Sequence, residues 1–285
     1  MSMRTDLRTG TVNNNEVAPA PANVDVAAAS STDDRAHERD AVPLAHAAIH
    51  DVVSEILKAS SVRGALLDVP AGEGALAARL INLGFDVRCC DLYPEIFRLK
   101  DVEIKRGDLS GVLPYEDGAF DYVTCVEGLE HIENPQQAIR EFARLLRPNG
   151  HLIVTVPNIL NIEERFKWLL GGYTSHFKPL SSEHLRALRD EFGAMEEIAL
   201  HVNPIAYTEL RFTLEKYGFG ILKLYRDKPK AHLWAYWPAV ALIRLLGRLT
   251  PEQKRRARWT DELQSNEILL GGNTLIVHAS RRENL

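Results

Sequence analysis

The chain has 285 residues, 45% hydrophobic and 26% charged, which is ordinary globular composition for one large domain or two small ones. Its 34 basic and 39 acidic residues leave a net charge of -5, so no basic excess points to a nucleic-acid partner. Cys89, Cys90 and Cys125 form neither a disulfide framework nor a metal-ligand spacing, and are expected to be buried thiols in a reducing compartment. No apolar h-region opens the chain, and no stretch of roughly 18 uncharged apolar residues exists to span a bilayer. A cytoplasmic protein is expected.

Residues 1–40 are rich in Ala, Asn, Asp, Ser, Thr and Pro and almost lack large apolar side chains. Such a segment cannot bury enough surface to offset its ordering entropy, so a disordered tail is expected. From Val42 the apolar positions Ala45, Ile49, Val52, Val53, Ile56 and Leu57 fall at helical spacing. His46 and His50 lie on the polar face, where solvent-exposed histidines are expected rather than a metal pair, because no third ligand is in view.

Strands and helices then alternate. Strand Ala65–Val69 precedes a helix from Ala75 to Leu83, stopped by Gly84. Strands follow at Asp86–Asp91, Val102–Arg106 and Phe120–Val126. Asn134 caps a helix opened by Pro135, whose apolar face carries Ala138, Phe142, Leu145 and Leu146. Pro148, Asn149 and Gly150 are expected to end it and turn into strand His151–Val156. This alternation predicts a doubly wound α/β sheet, mostly parallel, with helices on both faces. Its ligand site lies beyond the carboxyl ends of the strands. The second half is less regular. Helical stretches at Ile159–Gly171, Glu183–Phe192 and Tyr207–Tyr217 precede strand Phe219–Tyr225. Residues 228–272 separate it from the last strand, Asn273–Ser280, which suits an antiparallel pair at one sheet edge.

The central stretch is Leu66-Leu67-Asp68-Val69-Pro70-Ala71-Gly72-Glu73-Gly74. Gly72 and Gly74 let a ligand approach the backbone, and the following helix aims its free N–H groups at the turn. Gly72 to Ala77 fits a dinucleotide fingerprint, with Asp91 at about the distance expected of a ribose ligand. Asp68, however, would repel a diphosphate and hold an ammonium group. Asp108, after the third strand, can accept from an adenine amino group while Leu109 packs on the ring.

With Cys90-Asp91, Gly107-Asp108-Leu109, Phe120-Asp121-Tyr122-Val123, Glu127-Gly128-Leu129-Glu130-His131-Ile132 and Leu145-Leu146-Arg147-Pro148-Asn149-Gly150 in this order, the sequence resembles the class I S-adenosylmethionine-dependent methyltransferases, in the branch acting on small molecules, lipids and glycans. The likeness runs from about Ile49 to Arg281. It implies a Rossmann-like seven-stranded sheet with an antiparallel last strand, a methyltransferase domain over 41–285, a helical lid or insertion over about 159–200, and a helical excursion over about 228–272. It also implies that S-adenosyl-L-methionine binds Asp68, Ala71, Gly72 and Gly74 through its methionine part. Asp91, Leu92 and Tyr93 would hold the ribose, Asp108 and Leu109 the adenine, while Val126, Glu127 and Gly128 would flank the sulfonium. Pro70 departs from the family, which usually has glycine there. The turn then requires that this position need neither a donor nor a positive φ.

Methyl transfer from a sulfonium is an in-line displacement in which positioning supplies much of the rate. A hydroxyl acceptor needs a base. His131, just past the fourth strand, and His176, on the loop Gly171–His176, are the candidates. No resident metal is expected. The stretch 233–258 is apolar and aromatic, then basic, and three roles stay open: a peripheral membrane contact, a cover for the sheet edge, or a dimer contact. The acceptor is expected to be a small molecule, glycan or lipid-linked compound. The rival functions are a nicotinamide-dependent oxidoreductase and a non-catalytic relative that binds a partner.

Overall fold

The computed structural model describes residues 41–193, 200–230 and 233–283. The expected tail, residues 1–40, lies outside them.

Seven strands form one sheet: β1 Ala65–Asp68, β2 Asp86–Asp91, β3 Ile104–Arg106, β4 Phe120–Cys125, β5 Leu146–Pro157, β6 Phe219–Arg226 and β7 Thr274–Arg281. Their order is β3-β2-β1-β4-β5-β7-β6. The first five pair in parallel, and β7 runs antiparallel to both β5 and β6. The expected architecture is the observed one. The strand order reverses between β1 and β4, which opens a crevice at their carboxyl ends.

Neighbouring residues of a strand point to opposite faces, so the central strands must be apolar on both sides. Leu66 packs on one face with α1 (Ala47–Lys58) and α2 (Ala75–Asn82), through Ile49, Val53, Leu57, Leu76 and Leu80. Leu67 packs on the other with α3 (Pro135–Leu145) and α6 (Tyr207–Lys216), through Ala138, Ile139, Phe142, Leu210 and Leu214. Each such fully buried leucine contributes about 1.5–3 kcal/mol. The three cysteines are free and buried within these layers, as expected.

Two boundaries differ from the sequence reading. Helix α1 begins at Ala47, because His46 is its N-cap and accepts from the Ala48 N–H through Nδ1 at 3.2 Å. Residues 41–46 instead run against the glycine turn, where the Val42 N–H donates to Glu73 Oε2 at 2.9 Å. Helix α3 stops at Leu145, before the Pro-Asn-Gly triplet, since Leu146 already pairs with Phe120 ahead of an irregularity in the β4–β5 register. Asn149 takes the left-handed conformation there, φ 63°.

Between β5 and α6 lie α4 (Ile162–Gly171) and the mostly exposed α5 (Ser182–Phe192). Residues 194–199 of the expected lid fall outside the described residues. The 228–272 segment carries α7 (Trp237–Leu249), α8 (Glu252–Ala257), α9 (Thr260–Leu263) and α10 (Asn266–Leu269). Val240 of α7 packs with Ile162 and Leu269, beside Phe166 and Ile243. Buried asparagines tie this segment to the end of β5: Asn158 Nδ2 donates to the Ile268 carbonyl at 2.9 Å and Asn161 Nδ2 to that of Gly272 at 3.0 Å.

Candidate functional site

The crevice at the carboxyl ends of β1, β2 and β4 opens into a cavity of about 640 Å³. That is the size of a ligand pocket rather than a packing void. All twelve expected cofactor residues except Gly74 line it. Gly74 is the N-cap of α2, directly behind the turn.

The turn is built as its glycines require. Gly72 and Gly74 have φ of 53° and 97°, where a side chain is strained. A Cβ on Gly74 would also come within 2.8 Å of Leu99 and Phe97. Pro70 needs no positive φ, and Ala71 supplies the N–H that holds the turn to β2, donating to the Cys90 carbonyl at 3.0 Å. The proline ring packs against Gly128, where a Cβ would stand 2.7 Å from Pro70 Cδ. The family glycine is therefore replaced at a position that needs no donor, and Gly128 makes room for the ring.

Asp68 ends β1 and is 1% exposed. Its Oδ1 accepts from Thr124 Oγ1 at 2.8 Å, while Oδ2 is buried with no partner. Burial pushes its carboxyl up to about 7, against the Thr124 hydrogen bond and with a smaller push from Asp91. A buried carboxylate oxygen without a partner is costly. A ligand ammonium would satisfy it. Asp91 ends β2 and is tied by both oxygens: Oδ2 accepts from the Gly72 N–H at 2.8 Å and Oδ1 from the Tyr93 N–H at 2.9 Å. These bonds use one lone pair on each oxygen and leave others for a diol. Asp108 is exposed at the rim, its Oδ1 accepting from the Ser110 N–H at 2.7 Å, beside the buried Leu109.

At the end of β4 the backbone departs from regular geometry. Glu127 has φ 49°, unusual for a residue with a Cβ. Its N–H donates to Thr155 Oγ1 at 2.8 Å, and that hydroxyl donates back to Glu127 Oε1 at 3.1 Å. Burial raises the Glu127 carboxyl, opposed by hydrogen bonds from Thr155 and Thr274. A short 3-10 turn, Leu129–His131, follows. His131 lines the cavity, and its Nδ1 lies 2.9 Å from the Leu200 carbonyl. His176 does not line the cavity. Its ring stacks on His201 with centroids 5.9 Å apart, and His201 in turn meets His131 edge-on at 4.8 Å. Burial, then His131 and His176, push His201 down to about 4.

Sequence reasoning missed four features. His50 is buried, not exposed, and lines the cavity. Burial, with Arg79 adding to it, lowers it to about 4. The helical wheel placed His50 opposite the apolar stripe, but that side of α1 faces the crevice rather than water. Residues 42, 44, 45 and 46 also wall the cavity, as do Leu200, His201 and Val202. Glu130 is fully buried, and neither of its carboxylate oxygens has a partner. Only its place inside an apolar turn, between Leu129 and Ile132, could have signalled this.

Residues 67–154 match a family model described as a methyltransferase domain. Over 145 residues the chain is 34% identical to a ubiquinone biosynthesis O-methyltransferase of Xanthomonas oryzae pv. oryzae, covering 48% of this chain and 60% of that protein. Over 130 residues it is 33% identical to the protein of that name in Xanthomonas campestris pv. campestris, covering 42% and 54%. The chain thus spans about 60% of the length of the curated relatives it matches. The solved PH0226 protein from Pyrococcus horikoshii OT3 shares the fold, with a TM-score of 0.50 at 18% identity, over 83% of this chain and 90% of that one. Strand order, crevice and matched domain define a class I methyltransferase fold. Within that fold, residues 67–154 are similar to a methyltransferase domain.

Proposed function

We propose that this protein transfers a methyl group from S-adenosyl-L-methionine to the hydroxyl of a small or lipid-linked acceptor. One observation carries the reading: the unpartnered Asp68 Oδ2, buried at the mouth of a glycine turn opposite Asp91. The residues fit the cofactor. Asp68 would hold its ammonium, Asp91 its ribose, Asp108 and Leu109 its adenine, and Val126, Glu127 and Gly128 would flank its sulfur. Bound there, the cofactor supplies an already activated methyl group. The protein's work is to hold the acceptor in line, exclude water and receive the acceptor's proton. His131, at the cavity wall beyond Gly128, is the base in this reading, and His176 supports it through His201.

Asp68 disfavours a dinucleotide, whose diphosphate would meet its carboxylate. Calorimetry separates the two: S-adenosylhomocysteine binds and NAD does not. Binding of NAD alone would overturn the reading. The names of the curated relatives support an oxygen acceptor and a small-molecule substrate.

A peripheral membrane contact belongs to the same reading. Among the described residues no helix is long and apolar enough to cross a membrane. Yet α7 leaves Trp237, Leu242, Leu245, Leu246 and Leu249 exposed, and α4, which packs beside it through Phe166 and Tyr236, leaves Trp168, Leu169 and Leu170 exposed. Lys254, Arg255 and Arg256 follow on α8. An apolar face edged with cations suits an anionic bilayer surface. This would bring the enzyme to an acceptor held in the membrane, on the reducing side where buried free cysteines persist.

A further inference from the structure

We infer that His50 receives the carboxylate of the cofactor's methionine part, so that the amino-acid end of S-adenosylmethionine is held between Asp68 and α1. This role rests on the methyltransferase reading, and concerns the one anionic group of the cofactor, which Asp68, Asp91 and Asp108 cannot serve. His50 is 5% exposed and lines the cavity. Its Nδ1 is buried without a partner, and among the described residues neither ring nitrogen makes a hydrogen bond. A buried polar side chain normally has a partner, because leaving it unmet forfeits its hydration with no return. Two other histidines of the crevice differ. His46 Nδ1 is spent on the α1 cap, and His131 Nδ1 on the Leu200 carbonyl.

The position of His50 fits the ligand. Ile49, the residue before it, packs in one layer with Ala71 of the glycine turn and Leu76 of α2. Asp51, the residue after it, accepts from Arg79 of α2 at 2.6 Å. His50 therefore stands beside the start of α2. Leu44 covers this corner, since a Cβ on Gly72 would come within 3.1 Å of its Cδ1. The ammonium and carboxylate of an α-amino acid share one carbon. With the ammonium on Asp68, the carboxylate must lie against the same turn.

That corner favours an anion. Gly74 caps α2 without a side chain, and Ala75 and Leu76 line the cavity at the positive end of the helix dipole. Arg79 adds positive charge close enough to help burial keep the His50 ring neutral, against a smaller pull from Asp51. A neutral imidazole carries one N–H and one lone pair. Its N–H can be given to the carboxylate as a charge-assisted bond, at a place Leu44 shields from water.

The test titrates the full chain by calorimetry with S-adenosylhomocysteine and with its decarboxylated analogue, which keeps the ammonium and lacks the carboxylate. For His50→Leu, affinity for S-adenosylhomocysteine should fall at least about tenfold, the worth of one hydrogen bond to a charged group, while affinity for the analogue stays within about twofold of wild type. His50→Gln returns an amide N–H near the place of Nε2 and should recover part of the loss. Without ligand, His50→Leu should unfold at about the wild-type temperature, because it deletes no hydrogen bond within the chain. Should the leucine variant not fold, His50→Asn, whose shorter amide stands back from the Nε2 position, carries the same comparison. Unchanged affinity for S-adenosylhomocysteine, or an equal loss on both ligands, overturns the His50 assignment and leaves the methyltransferase reading in place. No binding of S-adenosylhomocysteine by the wild-type chain removes that reading, and the role of His50 with it.

Discussion

The two halves of the crevice are built differently. Around β1 and β2, each ligand-facing group sits at a strand end or in the turn that follows, and is supported from neighbouring strand ends and turns, as Asp68 is by Thr124. Asp91, for example, is held by Gly72 and Tyr93. Around the end of β4 the wall is assembled from distant pieces. The His131 ring is oriented by Leu200, 69 residues further on, and Glu127 by Thr155, 28 residues on. The first half is set by the parallel strands and the turns at their ends. The second depends on β5, which carries Thr155, and on the stretch from Leu200 to Asn203.

That contrast can be broken most directly at Asp68. Asp68→Ala should lower S-adenosylhomocysteine affinity by about 2–5 kcal/mol, the cost of deleting one partner of a buried charge pair. Affinity within a few-fold of wild type would deny the first half its central role. The same carboxyl predicts a pH dependence. Its pKa in the free protein is raised from 3.8 to about 7. As pH falls below about 7 it takes up a proton, the ligand ammonium loses its partner, and affinity should drop by up to about tenfold per unit. For the free protein the sign is opposite: the contribution of Asp68 to stability is full below 3.8 and is lost as pH rises through about 7. Calorimetry in buffers of different ionisation enthalpy would register proton release on binding, and none would exclude the shift.

His131→Ala probes the other half. Turnover should fall by about two orders of magnitude or more, while S-adenosylhomocysteine still binds. Loss of cofactor binding would merge the two halves. Gly74→Ala should destabilise the turn by about 1–3 kcal/mol, from strain at φ 97° and the clash with Leu99 and Phe97, read as a lower unfolding temperature. The smallest change in stability, within about 0.5 kcal/mol, belongs to Leu245→Glu with Leu246→Glu on the exposed face of α7. The pair should nevertheless abolish flotation with anionic liposomes. Flotation equal to wild type would remove the membrane contact.

Most of the sheet was legible beforehand, because buried parallel strands read as apolar runs bounded by Gly, Pro and Asp. The errors fell where local pattern and tertiary contact disagreed. His50 looked exposed because a helical wheel knows its apolar stripe but not that the opposite side borders a crevice. The 42–46 stretch looked like helix because Val42 and Ala45 are in phase with Ile49, yet Val42 is held in place by Glu73 and His46 caps the helix after it. Glu130 passed unremarked, since nothing local distinguishes a buried carboxylate from a surface one.

By itself, then, the sequence determined the strand order's class, the glycine turn and the three aspartates at strand ends, since strand ends, turns and caps obey rules spanning a handful of residues. The meeting of His131 and His201, the burial of His50 and the apolar face left uncovered on α7 were decided only by tertiary structure. Each is a relation between segments far apart in the chain, set by how helices pack on a sheet and not by the residues nearest in sequence.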